Sequence, residues 1–522
     1  MRSIRRVPGR ARIAGAAVGV FALALAGLAA LPTSATASVQ SIVGHRIKVD
    51  PLTTKVVKAP HAATFGCQTR PIDGSQGLRC YSPAQIQAAY GLTPLFNKGV
   101  TGKGRTIVII DAYSSPYITS DLSIFDSTFD LPSPNFQQIA PQGLTPFDVN
   151  DPNQDGWAEE ITLDVLWAHA AAPDAKIVLA LAKSNDDTDL YNTTKWVIDH
   201  NVGDVISQSF GEAETCVDPT LLSMQHRLFA KAAHKHITVF ASSGDSGASQ
   251  FNCAGTAAIL AASSPASDPL VTGVGGTTLN ADSTTGAYIG ETAWNEFLLG
   301  CNPPALDLND VNCSGGGFST IYPQPSYQQG HFGHHGKGHG RAGRGVPDVA
   351  YNAGVNGGVL THCGICNVLS GLDPLDPTTF FLFGGTSAGS PQWAGITAVG
   401  DQLGHHRLGD INPGLYRIGR SHRLYANAFH DITVGNNDVV EIGGGYDTAT
   451  GWDPVTGLGT PNASALLPAL THHQHRASGV VPRPGLPGRG TGSVAAHHQH
   501  PEPLRAREPG GRIALLPHPP LQ

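Results

Sequence analysis

Short apolar runs bounded by turn or polar residues recur along the middle of the chain, at Thr106 to Ile110, Ile177 to Ala182, Val205 to Ser209 and Ile237 to Ala241. Helically spaced segments lie between them, notably Trp157 to Ala172. Buried strands alternating with helices predict an α/β fold, a three-layer domain whose mostly parallel central sheet has helices on both faces. Functional groups in such sheets gather beyond the carboxyl ends of the strands. A further helix is predicted from Ser82-Pro83, where Ser caps and Pro suits the first turn before Ile86, Ala89 and Tyr90.

The ends of the chain break this pattern. Arg2, Arg5, Arg6, Arg10 and Arg12 precede an apolar run from Ile13 to Leu31 and the small residues Ala35-Thr36-Ala37, so residues 1–37 read as a secretory signal peptide. No later stretch is apolar enough to cross a membrane. Residues 38–77 read as a short irregular N-terminal segment and 78–470 as the folded domain, interrupted by the Gly/His-rich stretch 330–345. Residues 471–522, rich in Pro, Arg, Gly and His, read as a disordered low-complexity tail.

Composition narrows the function classes. With 33 Lys+Arg against 40 Asp+Glu, the net charge is −7, which leaves no basic field to hold a nucleic acid. Only 14% of residues are charged and 23 are His, a hint of an acidic working environment. Eight Cys in an exported chain predict disulfides, and nearness in sequence pairs Cys67 with Cys80, Cys216 with Cys253, Cys301 with Cys313 and Cys363 with Cys366. A zinc site is the rival reading of the last pair, but no second Cys pair accompanies it at suitable spacing.

The chemistry begins at "FLFGGTSAGSPQWAG", where an apolar strand meets Gly384-Gly385, then Thr386-Ser387, then a helix. This puts Ser387 on a tight strand-to-helix turn near backbone N–H groups able to bind an oxyanion. A Ser nucleophile needs a base. Asp111 follows the first strand, but no His-containing helix start accompanies it. Instead Glu160 and Asp164 sit four residues apart on one face of the Trp157–Ala172 helix. In "SSGDSG", Asp245 follows another strand, in the same layer as Ser387.

Together with "YSPAQIQAAYGL", "TIVIIDAY", "VTGVGGTTL", "GVPDVAYNA" and "GWDPVTGLGTPN", in order over residues 78 to 468, these segments resemble the sedolisin family, the serine-carboxyl peptidases of subtilisin-like fold. The resemblance implies Ser387 as nucleophile, Glu160 as general base, Asp164 as the residue orienting Glu160, and Asp245 as the oxyanion-hole acid. Glu159, five residues from Asp164, faces elsewhere. The resemblance also implies one structural Ca2+, with carboxylates from Asp431 and Asp453 and carbonyls from Ile432, Ala449 and Gly451. Family members often have Gly where Ala449 stands, which matters little for a backbone ligand.

The expected function is that of a secreted, monomeric, acid-active endopeptidase acting on proteins or peptides through an acyl-enzyme. A Glu base has an ordinary pKa near ~4.3, and Asp245 can donate to an oxyanion only while protonated, so activity is expected to fade toward neutral pH. Two other readings compete: a Ser-His-Asp hydrolase using Asp111 and His169 with a neutral optimum, and a non-catalytic secreted calcium-binding protein of the same fold. The long propeptide that the resemblance implies has no counterpart in residues 38–77, and the resemblance also implies a substrate-pairing edge at Ser209-Phe210-Gly211, where a strand end is the simpler reading.

Overall fold

The computed structural model describes residues 45–49, 51–59, 64–296, 301, 312–331, 343–439 and 442–477, with side chains as far as 471. The predicted signal peptide, most of the Gly/His-rich stretch and residues 478–522 of the predicted tail lie outside these residues, whereas 471–477, expected to be disordered, continue a helix that runs Ala463–Ala477. In chain order the elements that frame the site are β1 (Thr53–Val57), β2 (Cys80–Tyr81), α1 (Pro83–Ala89), β3 (Thr106–Ala112), α2 (Ile118–Phe129), β4 (Asn135–Ile139) and α3 (Pro152–Ala171). There follow β5 (Lys176–Ala182), α4 (Asp187–Asp199), β6 (Val205–Gln208), α5 (Pro219–His234), β7 (Thr238–Ser242), β8 (Thr272–Ala281) and β9 (Tyr288–Ala293). The last are β10 (Val349–Asn352), β11 (Gly358–Thr361), β12 (Thr379–Phe383) and α6 (Gly389–Gly404).

An eight-stranded sheet runs β9-β8-β7-β6-β3-β5-β4, with β10 also paired to β8. All its pairings are parallel except β8 with β9. Strand β3 shows why the sheet is covered on both sides. Ile107 and Ile109 join one core with Trp167 of α3 and Trp393 of α6, while Val108 and Ile110 join another with Val197 of α4 and Phe229 of α5. Because alternate residues point to opposite faces, a strand apolar at every position must be buried from both. The predicted strands all form, and the long helix begins a turn earlier than its apolar pattern, at Pro152, where Asp151 caps the Asn153 N–H at 3.0 Å.

The N-terminal segment is more ordered than its sequence indicated. Strand β1 pairs antiparallel with β12, in a second sheet ordered β1-β12-β11-β2. All four predicted disulfides form, including Cys363–Cys366, which removes the zinc reading. At the C-terminal edge of the Gly/His-rich stretch, residues 343–346 form a buried strand, and fully buried Arg344 pairs with Asp348 at 2.5 Å. Among the described residues no helix is long and apolar enough to cross a membrane.

Candidate active site

Strand β12 ends at Phe383, and Gly385 turns the chain with φ +96°, a left-handed value that favours Gly. A Cβ there would also stand 2.5 Å from Asp245 Oδ2. The short 3-10 turn Thr386–Ala388 then leads into α6. Within it Thr386 and Ala388 are buried while Ser387 stays partly exposed, at the wall of a cleft of about 470 Å³ that Glu160 and Asp245 also line.

Glu160 and Asp164 are one helical turn apart on α3 and almost wholly buried, at 1% and 0% exposure. That excludes a solvated acidic stripe. The Ser387 side chain is hydrogen-bonded to the Glu160 carboxyl, and Asp164 Oδ1 accepts from Ser209 Oγ at 2.9 Å. Ser209 Oγ also stands 3.4 Å from the Ser387 carbonyl, tying the end of β6 to the Ser387 turn. Burial pushes the Glu160 carboxyl well above its ordinary range, Asp111 adds to this, and the Ser387 hydrogen bond opposes it. Asp164 is raised likewise, by burial first and then by Asp111 and Glu160. Glu159 is only half-buried.

Asp245 follows β7, and burial raises its pKa. Its Oδ1 accepts from both the Thr386 N–H at 2.8 Å and the Thr386 hydroxyl at 2.6 Å. Thr386 Oγ1 in turn accepts from the Gly244 N–H at 3.1 Å. Two donors on Oδ1 favour lone pairs there, so the proton of a neutral Asp245 belongs on Oδ2, toward Gly385.

The structure brings Asp111 to the same cluster. Sequence reasoning gave it no part beside Glu160 and Asp164, although an acid closing the otherwise apolar run "TIVII" was the available signal. It is fully buried with no hydrogen-bond partner on either oxygen, and burial pushes its pKa from 3.8 up to about 8. A folded-state value above the unfolded one means that protonation favours the folded chain. That stabilisation is complete below the ordinary 3.8 and is lost as pH rises through about 8. Melting temperature should therefore fall between about pH 4 and about pH 9, and Asp111→Asn should flatten part of the fall; identical slopes for both proteins would refute this origin. His169, by contrast, is nine residues along α3 from Glu160, roughly 14 Å at 1.5 Å per residue. Its Nε2 lies 3.0 Å from the Pro132 carbonyl and 3.2 Å from Asp126, so it is not the base for Ser387.

Kumamolisin from Bacillus sp. (strain MN-32) is 32% identical over 431 residues, covering 78% of this chain and 70% of the relative. The chain belongs to the sedolisin family. It is accordingly a serine-type peptidase. Sedolisin from Pseudomonas sp. (strain 101) is 31% identical over 374 residues, covering 70% of this chain and 58% of that relative, so the chain spans little more than half of some relatives. The solved structure of Pseudomonas sedolisin, a serine-carboxyl proteinase complexed with two molecules of pseudo-iodotyrostatin, superposes with a TM-score of 0.62 at 27% identity, covering 77% of this chain and all of that one. No family model matches the chain.

The five residues assigned to calcium by the sedolisin resemblance meet in one loop cluster. The Gly451 N–H donates to Asp431 Oδ1 and Oδ2 at 3.0 and 3.2 Å, and the Ala449 N–H donates to Asp453 Oδ2 at 3.1 Å. Asp453 is fully buried, burial raises its pKa to about 7, and among the described residues no Lys, Arg or His pairs with it or with Asp431. Two carboxylates without a cationic side chain beside them carry negative charge of the kind a hard cation balances.

Proposed function

We propose that this chain is a secreted, acid-active serine-carboxyl endopeptidase that cleaves proteins or peptides through an acyl-enzyme on Ser387. The observation that carries this reading is the Ser387 to Glu160 hydrogen bond on the wall of a peptide-sized cleft that Asp245 also lines. In the first step the Ser387 Oγ attacks the peptide carbonyl carbon while its proton passes to Glu160. The carbonyl oxygen becomes an oxyanion, which the Asp245 Oδ2 hydroxyl stabilises by donating a hydrogen bond. Collapse breaks the C–N bond, the leaving amine takes the proton from Glu160, and water releases the acyl group by the reverse sequence. Asp164 orients Glu160 and shares its negative charge, with neutral Asp111 behind them. Four disulfides fit an extracellular setting. Hydrolysis of a denatured protein from about pH 3 to about pH 8 tests the reading: cleavage confined to the acid side supports it, and a neutral optimum refutes it.

Asp431, Ile432, Ala449, Gly451 and Asp453 would hold one Ca2+, which when bound supplies charge compensation to the two carboxylates and cross-links their loop. Chelation with EGTA near neutral pH is expected to lower the melting temperature by several degrees, and re-addition of Ca2+ to restore it. An unchanged melting curve would count against the site.

A further inference from the structure

Residues 45–49, 51 and 52 lead along the cleft. Lys48, Val49, Pro51 and Leu52 border it together with Glu160 and Ser387, and the Leu52 carbonyl accepts from the Gly384 N–H at 3.2 Å. Upstream, the segment is held by a single antiparallel bridge: Arg46 pairs with Asp186, the Ile47 N–H donates to the Asn185 carbonyl at 2.8 Å, and the Asp187 N–H donates to the His45 carbonyl at 2.8 Å. The Ile47 carbonyl accepts from Asn185 Nδ2 at 2.8 Å and Trp157 Nε1 at 3.4 Å. Gly156 on α3 leaves room for this path, since a Cβ there would stand 2.6 Å from the Val49 carbonyl oxygen.

In an extended chain, residues i and i+2 share a face. Ile47 is 6% exposed in the core that holds Trp157 and Phe210, and His45 Nδ1 reaches Glu212 Oε2 at 3.2 Å, while Arg46 and Lys48 are exposed. Beside Ile47 opens a narrow recess lined by Asp187, Gln208, Phe210, Glu212 and Gln225. Glu212 Oε1, Gln208 Oε1 and Gln225 Oε1 have no hydrogen-bond partner among the described residues, the His45 backbone supplies the one hydrogen bond to the Asp187 carboxyl, and Asp187 and Gln208 are only 3% and 4% exposed. Unmatched acceptors of this kind call for a donor-rich cation; without one, burial and then the Glu212 charge push the Asp187 pKa up to about 7.

We infer that the recess walled by Asp187 and Glu212 is a specificity subsite for a basic side chain of the peptide substrate, two residues N-terminal to an aliphatic side chain held against Trp157 and Phe210. The inference rests on the peptidase reading. It is tested on the full chain with fluorogenic peptides that carry Lys, Ala or Glu two residues before Ile, read at the upper pH limit of activity. The Lys peptide is expected to exceed the Glu peptide about tenfold in kcat/KM, and Glu212→Lys to invert that ratio; equal ratios in both proteins would overturn the subsite. If no peptide or protein is cleaved at all, the peptidase reading fails separately. Binding of labelled Lys and Glu peptides to Ser387→Ala, by fluorescence anisotropy, then still reads the subsite: tighter binding of the Lys peptide supports it, and equal binding rejects it.

Discussion

Ser387→Ala is expected to lower kcat on a denatured protein by about 10⁶-fold, leaving only the roughly 10³-fold advantage over water that binding and oxyanion stabilisation supply without a nucleophile. The size of the effect follows from the architecture. Ser387 is the partly exposed residue of a turn whose other members, Thr386 and Ala388, are buried and engaged in structure. No other hydroxyl of that turn can take its role, because the Thr386 hydroxyl is committed to Asp245 at 2.6 Å. Loss of one hydroxyl from a partly exposed side chain leaves the β12–α6 packing intact, so the melting temperature should stay within a degree or two of the parent. Equal activity in the two proteins would overturn the nucleophile assignment and, with it, the acyl-enzyme. A matching loss in Glu160→Gln would show the two residues acting as a unit, since removing either partner of one proton transfer disables the same step.

The legible part of this molecule was the part set by periodicity and punctuation. Strands such as β3 and β5 are apolar at nearly every position because both faces are covered, and that pattern survives in one dimension. The Ser387 turn was legible because Gly384-Gly385 between a strand and a helix has few other uses. The Glu160/Asp164 pair was legible as a pair from helical spacing, but its burial was not, since a carboxylate stripe in sequence looks the same whether water or protein faces it. Asp111 was missed as a third carboxyl because its neighbours in the cluster are distant in sequence and meet it only through the order of β3, β6 and α3. The N-terminal strap was missed for a different reason. Residues 45–49 and 51–57 have no amphipathic period of their own; they are ordered by the Asn185–Asp187 edge and by β12, partners that a local pattern cannot name.

Asp245→Asn is expected to change the shape of the pH profile and not merely its height. The alkaline limit of activity belongs to the group that must be protonated to donate, and the acid limit to the group that must be ionised to accept. Asp245 has its pKa raised by burial, with the two Thr386 hydrogen bonds opposing, so its donor form persists above the ordinary carboxylate range and is lost as pH rises further. Glu160, raised by burial and by Asp111, must lose its proton to act, so activity rises as pH climbs through that raised value. An amide at position 245 donates at every pH and accepts from Thr386 through its oxygen. The variant should thus lose about 10- to 100-fold at the optimum, since a neutral amide is a weaker donor than a carboxylic acid, yet extend its activity toward neutral pH. Asp245→Ala removes the donor altogether and should cost about 10²–10³-fold at all pH values. If both variants kept the parent's alkaline limit, that limit would belong to another group of the cluster, and Asp245 would have no claim to the oxyanion.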